Sequence, residues 1–159
     1  MSRRLLALVR PLLAAALLLF AGTVAAHAHL AASAPADATV IAATPETVAF
    51  EYTEPVEVMF SQFGVHRFDV ELPEDPDELT ERDWQRLSAA AGLVVSAALD
   101  DDDEKGRVDT VVETGGPRAD RIVMSLAEEL EPGAYVAFWR VLSIDTHVTD
   151  GFITFVLKE

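Results

Sequence analysis

Cysteine is absent from this 159-residue chain. That excludes disulfides, thiolate metal sites and cysteine nucleophiles. Methionine is scarce, with only Met59 and Met124 beyond Met1, so a soft-metal site built from clustered thioethers is excluded as well. Basic residues are few, 12 against 27 acidic. A surface of that sign repels nucleic acid and anionic lipid and favours cations and basic partners. Tryptophan and tyrosine number two each, too few and too scattered for an aromatic binding platform. The longest apolar run, from Leu12 to Phe20, falls short of the ~20 residues that cross a bilayer as a helix.

That run is informative in another way. Arg3, Arg4 and Arg10 surround its start, no acid accompanies them, and Thr23-Val24-Ala25-Ala26 closes it. A basic head, an apolar middle and a small-residue end make a secretory signal peptide. Cleavage is expected after Ala26. A second position, after Ala28, fits the same small-residue rule, and Ser2-Arg3-Arg4 leaves the export route open between a general and a twin-arginine path. Removing residues 1–26 leaves a single domain, 27–159. Nine basic residues then face 27 acidic ones, a formal charge of −18. The mature chain is expected to be soluble and to lie outside the cytoplasmic membrane, in a periplasm or on the cell-envelope exterior.

After the leader the pattern is mostly β. Turn signals fall at Ser33-Ala34-Pro35-Ala36-Asp37, Thr44-Pro45-Glu46, Thr53-Glu54-Pro55 and Pro132-Gly133. Strands are expected at Thr47–Tyr52, Val65–Leu72, Arg107–Glu113, Ala119–Leu126, Ala134–Ser143 and Gly151–Lys158. The last two are apolar on both faces, as strands covered on both sides are. Pro73 to Ala91 reads as an acidic, partly helical insertion, with acids early, Arg82 and Arg86 late, and Trp84 and Leu87 three apart. Gly92 is expected to end that helix and Leu93–Leu99 to form a further strand. Asp100–Glu104 lacks the spaced ligands and glycine turn of a calcium loop and reads as a solvated hairpin. Seven or eight short strands with frequent turns imply an all-β fold, an antiparallel β-sandwich or a Greek-key barrel.

Chemistry concentrates at the two ends of the mature chain. Its four histidines are His27, His29, His66 and His147. Cleavage after Ala26 gives His27 a free α-amine beside its imidazole, so one ordered residue supplies two nitrogen donors. The amine's ordinary pKa of ~7.7–8.0 lets a metal displace its proton near neutrality. Asp145-Thr146-His147 places a carboxylate and an imidazole two apart, on one face if the backbone is extended. Nitrogen and oxygen donors without sulfur suit Cu(II). His27, Asp145 and His147 are therefore the candidate metal ligands, for one Cu(II) ion, with no Cu(I) methionine site. His29 is a possible additional ligand, or a residue supporting the ligands from outside. In an unfolded end, the amine, two amides and the His29 ring could instead wrap Cu(II) or Ni(II) locally. His66 lies on the apolar side of its strand and reads as structural, as does Trp139 on a closing strand.

Two passages resemble the CopC family of extracytoplasmic copper-binding proteins. One is His27-Ala28-His29-Leu30 with Ser33-Ala34-Pro35-Ala36-Asp37. The other is Pro132-Gly133-Ala134-Tyr135, then Trp139-Arg140-Val141-Leu142-Ser143-Ile144-Asp145-Thr146-His147, then Gly151-Phe152-Ile153-Thr154-Phe155. The resemblance implies a Greek-key β-sandwich or barrel, immunoglobulin-like in outline, and copper handling outside the cytoplasm. It also implies Cu(II) ligation by His27, through amine and ring, with Asp145 and His147. The chain departs from the methionine-rich members of the family and resembles the Cu(II)-only ones. The acidic insertion at 73–91 has no counterpart in this pattern.

The leading expectation is a non-enzymatic carrier or buffer of copper, with the copper ion as cargo and a CopD-type inner-membrane transporter as candidate partner. Two alternatives remain. A copper oxygenase can also use an N-terminal histidine chelate, but needs an open coordination position and a substrate surface. A metal-free interaction domain is possible on the same scaffold, because fold does not fix function.

Overall fold

The computed structural model describes residues 27–101 and 103–158. The expected leader, 1–26, lies outside the described residues. Eight strands run in the order β1 Leu30–Ala34, β2 Thr39–Ile41, β3 Thr47–Glu57, β4 Gln62–Phe68, β5 Asp109–Thr114, β6 Arg118–Leu126, β7 Gly133–Leu142 and β8 Val148–Leu157. A helix, α1 (Glu81–Asp101), is inserted between β4 and β5.

The strands form two four-stranded sheets, ordered β1-β3-β6-β5 and β2-β8-β7-β4. Neighbours are antiparallel except β2 and β8, which run parallel. This is the immunoglobulin-like sandwich order, with the first edge divided between the two sheets. The expected all-β sandwich with a helical insertion is the architecture observed.

The expectation that β7 is apolar on both faces for a reason is met by a third layer. Tyr135, Ala137, Trp139 and Val141 pack between the sheets with Phe50, Tyr52, Ile122, Met124 and Phe155. The alternate residues Ala134, Val136 and Phe138 face outward, with Phe68 and Val156 beside them, and α1 covers them with Leu87, Ala91, Val95 and Leu99. A half-buried alternation was expected for Val65–Leu72. The strand is instead Gln62–Phe68, and both Val65 and His66 are buried, because the sandwich core takes one and the helix layer the other.

Two boundaries differ from the sequence reading. The helix does not stop at Gly92, and Leu93–Leu99 is helical rather than a strand. The buried positions recur every four residues, a helical stripe along the sheet, and that burial outweighs the glycine. Asp100 and Asp101 accordingly belong to the last turn of α1, while Asp103 and Glu104 lie in the following loop. Thr53-Glu54-Pro55 is not a turn either. β3 passes through it with a pairing irregularity between Glu51 and Val56, the kind of bulge that admits a proline in a strand.

Candidate metal centre

β7 and β8 form a hairpin whose last regular pair is Leu142 and Val148. Between them the chain turns tightly. The Thr146 amide donates to the Ser143 carbonyl at 2.9 Å, and the Ser143 amide donates to the His147 carbonyl at 2.8 Å. Thr146 has φ +70°. A turn followed by one left-handed residue is the usual three-residue hairpin loop. Asp145-Thr146-His147 is therefore not extended. The left-handed step at Thr146, rather than strand alternation, brings Asp145 and His147 to the same side.

The start of the domain is tied to this hairpin. The buried amide of Ala28 donates to Ser143 Oγ at 3.0 Å, and Thr149 Oγ1 donates to the Ala28 carbonyl at 3.0 Å. On the other side, the His29 amide donates to Thr53 Oγ1 at 3.1 Å, and the Thr53 amide donates to the His29 carbonyl at 2.9 Å. Ala28 is 1% exposed and joins the main core. Residues 28–29 thus bridge the two sheets and leave His27 facing the hairpin tip.

The three expected ligands come together. His27 Nδ1 lies 2.8 Å from Asp145 Oδ2, and His147 Nδ1 lies 3.3 Å from the same oxygen. The His147 amide donates to Asp145 Oδ1 at 3.3 Å. The two imidazole centroids are 4.3 Å apart. One ligand atom from each of the three residues lies within 4.8 Å of the others, so one small cation could be shared by all three. The hydrogen bond from the His27 ring, aided by the His147 amide and the charge of both imidazoles, holds the Asp145 carboxyl below its ordinary range. An ionised carboxylate between two imidazoles is a donor set that fits a divalent ion of the Cu(II) type. The site is open, with the His147 side chain 59% exposed and His27 36%.

The remaining histidines lie outside this cluster. His29 is exposed, its ring centroid 6.2 Å from that of His27. His66 is buried on the helix side of its sheet, with Nδ1 2.9 Å from the Lys105 carbonyl. Trp139 is in the core, in edge contact with Phe50 at 5.1 Å. Met124 is fully buried and Met59 is 81% exposed, so the two thioethers share no site. Sequence reasoning assigned no role to Ser143, Thr53 or Thr149. Each acts only through a contact across the sandwich, which leaves no local signal.

The fold and the cluster define a class, a two-sheet β-sandwich with a histidine–carboxylate cluster where the first described residues meet the β7–β8 hairpin. Residues 86–158, a little under half of the chain, match the family described as the CopC domain. The matched region holds Asp145 and His147, and His27 lies before it. Among curated relatives, protein YobA of Escherichia coli K12 is 26% identical over 133 residues, 84% of this chain and 80% of the relative. YobA of Shigella flexneri matches equally. Among solved structures, PcoC, a methionine-rich copper resistance protein from Escherichia coli, aligns with a TM-score of 0.55 and 23% identity over 84% of this chain and all of PcoC. CopC from Methylosinus trichosporium OB3b aligns with a TM-score of 0.54 and 20% identity over 83% of this chain and 94% of its own. No helix among the described residues is long and apolar enough to cross a membrane.

Proposed function

We propose that this protein binds one Cu(II) ion outside the cytoplasm and carries or buffers it. The observation that carries this reading is the convergence of His27 with Asp145 and His147, 118 and 120 positions away in sequence. His27 and His147 supply imidazole nitrogen, Asp145 supplies an anionic oxygen, and a chain cut after Ala26 adds the His27 amine. Nitrogen and oxygen donors without sulfur favour Cu(II) over Cu(I). The carboxylate offsets part of the ion's charge at an exposed site, where ligand exchange with a partner is unobstructed. A carrier needs such access, and a CopD-type membrane transporter is the partner we assign to it. The protein acts as a carrier rather than a catalyst. The leader reading, residues 1–26, supplies the export that this role requires.

The test is a Cu(II) titration of protein starting at His27. One equivalent should bind tightly. His147→Ala, Asp145→Asn, or one extra residue ahead of His27 should each weaken binding by more than the roughly 10–100-fold that loss of a supporting contact costs a metal site. Stoichiometric binding that ignores all three changes would overturn the assignment.

A further inference from the structure

A chain beginning His27-Ala28-His29 could hold a metal with no help from the fold. The amine, the amide nitrogens of Ala28 and His29 and the His29 ring can surround one ion with four nitrogens in a plane. Ni(II) and Cu(II) both accept that square-planar arrangement. The metal then takes the place of both amide hydrogens, which leave to water as protons.

The fold occupies those two atoms. The Ala28 amide is buried and committed to Ser143 Oγ at 3.0 Å. The His29 amide is committed to Thr53 Oγ1 at 3.1 Å. Both carbonyls are held as well, Ala28 by Thr149 Oγ1 at 3.0 Å and His29 by the Thr53 amide at 2.9 Å. Local wrapping would break this set and lift Ala28, 1% exposed, out of the core. Ser143 also opens the turn that presents Asp145 and His147. The contact that closes the local mode therefore belongs to the hairpin that offers the other one.

We propose that Ser143 and Thr53 determine the metal specificity of the site. By holding the amides of Ala28 and His29 they deny the four-nitrogen mode, and with it square-planar Ni(II), leaving only the His27–Asp145–His147 arrangement. This rests on the copper-site reading and on a mature chain that starts at His27. Both are positioning residues, and neither is a ligand.

The experiment uses one equivalent of Ni(II) at neutral pH and follows the yellow absorption and visible circular dichroism of low-spin, square-planar Ni(II). The free peptide His-Ala-His-Leu should develop the signal and the folded protein should not. In a urea series on the unaltered protein, the signal should grow in with unfolding. The double variant Ser143→Ala, Thr53→Val, with its fold checked by far-ultraviolet circular dichroism, should gain Ni(II) occupancy on the order of tenfold. Thr149→Val loosens Ala28 at its carbonyl, leaves both amides held, and should stay silent. A Ni(II) signal from the folded, unaltered protein without urea overturns the proposal, as does a folded double variant that stays silent. Neither outcome touches the copper assignment, which is judged by the dependence of Cu(II) binding on Asp145 and His147.

Discussion

Thr146 is exposed and β-branched, and it stands at φ +70°, a conformation that glycine adopts freely and threonine does not. The cost is about 1–2 kcal/mol, and it falls on the residue between two candidate ligands, where strain is commonly stored. Thr146→Gly should raise the free energy of unfolding of the metal-free protein by about 1 kcal/mol, after the larger unfolded-state entropy of glycine is subtracted. Urea denaturation measures this. A loss of stability would show that the turn is not strained. The candidate ligands were legible in sequence because the leader-like pattern ahead of His27 and the Asp-x-His element are both local patterns. The left-handed turn was not. Threonine gives no hint of it, and an extended backbone would have put the same two side chains on one face.

Helix α1 illustrates where local pattern fails. Residues 87–99 mix leucine, valine, alanine and one glycine, and both periods can be drawn through them. The alternative that buries Leu87, Ala91, Val95 and Leu99 together on the outer face of β7 and β8 prevails. Gly92 is a residue in a helix interior, and a Cβ there would meet only Phe152 Cζ at 4.0 Å, an ordinary contact. Gly92→Ala should therefore stabilise the protein by roughly 0.5–1 kcal/mol, seen as a higher melting temperature. A destabilised variant would mean that the helix sits closer to the sheet than described. β1 and β2 escaped the sequence reading for a different reason. They are short edge strands of small or half-exposed residues, specified by their partners and not by their own periodicity. Of the strands that were read, β3, β6, β7 and β8 carry enough buried positions to make a pattern, and β5, which has none fully buried, was legible from the glycine–proline turn that follows it.

The start of α1 gives a pH dependence. Thr80 Oγ1 donates to Asp83 Oδ2 at 2.5 Å, and the Thr80 amide donates to the same oxygen at 3.0 Å. This is a reciprocal cap with aspartate in the position usually held by glutamate. The Thr80 hydroxyl first, then its amide, then Arg86 and Arg82 hold the Asp83 carboxyl below its ordinary range. A lowered folded value means that the contribution is present above the unfolded value of about 3.9 and is lost as pH falls through the folded one. Asp83→Asn should lower the melting temperature at neutral pH and leave a shallower decline as pH falls below about 4. A variant whose decline matches the parent's would remove Asp83 from the acid transition.

At the scale of the molecule, a chain without cysteine and with 27 acidic residues against 12 basic ones carries considerable self-repulsion and has no covalent brace. An ion bound only by the folded state adds stability by mass action, about 2.7 kcal/mol when free metal is a hundredfold above its dissociation constant. For a domain of this size that corresponds to a rise of roughly 8–15 °C in melting temperature. Cu(II) should produce it, a chelator should reverse it, and Asp145→Asn should abolish most of it, all readable by calorimetry. No shift with a stoichiometric excess of Cu(II) would leave the sandwich without its proposed cargo.

The parallel pairing of β2 with β8, Thr39 to Phe155 through Ile41 to Leu157, has a mechanical consequence. A force applied between the two ends of the domain loads those few backbone bonds together, in shear, once the contacts of residues 28–34 ahead of β2 have yielded. With copper bound as proposed, the load entering at His27 crosses the ion to His147 and runs straight along β8. The intervening 119 residues are then bypassed, and one metal ion shields nearly the whole domain from tension.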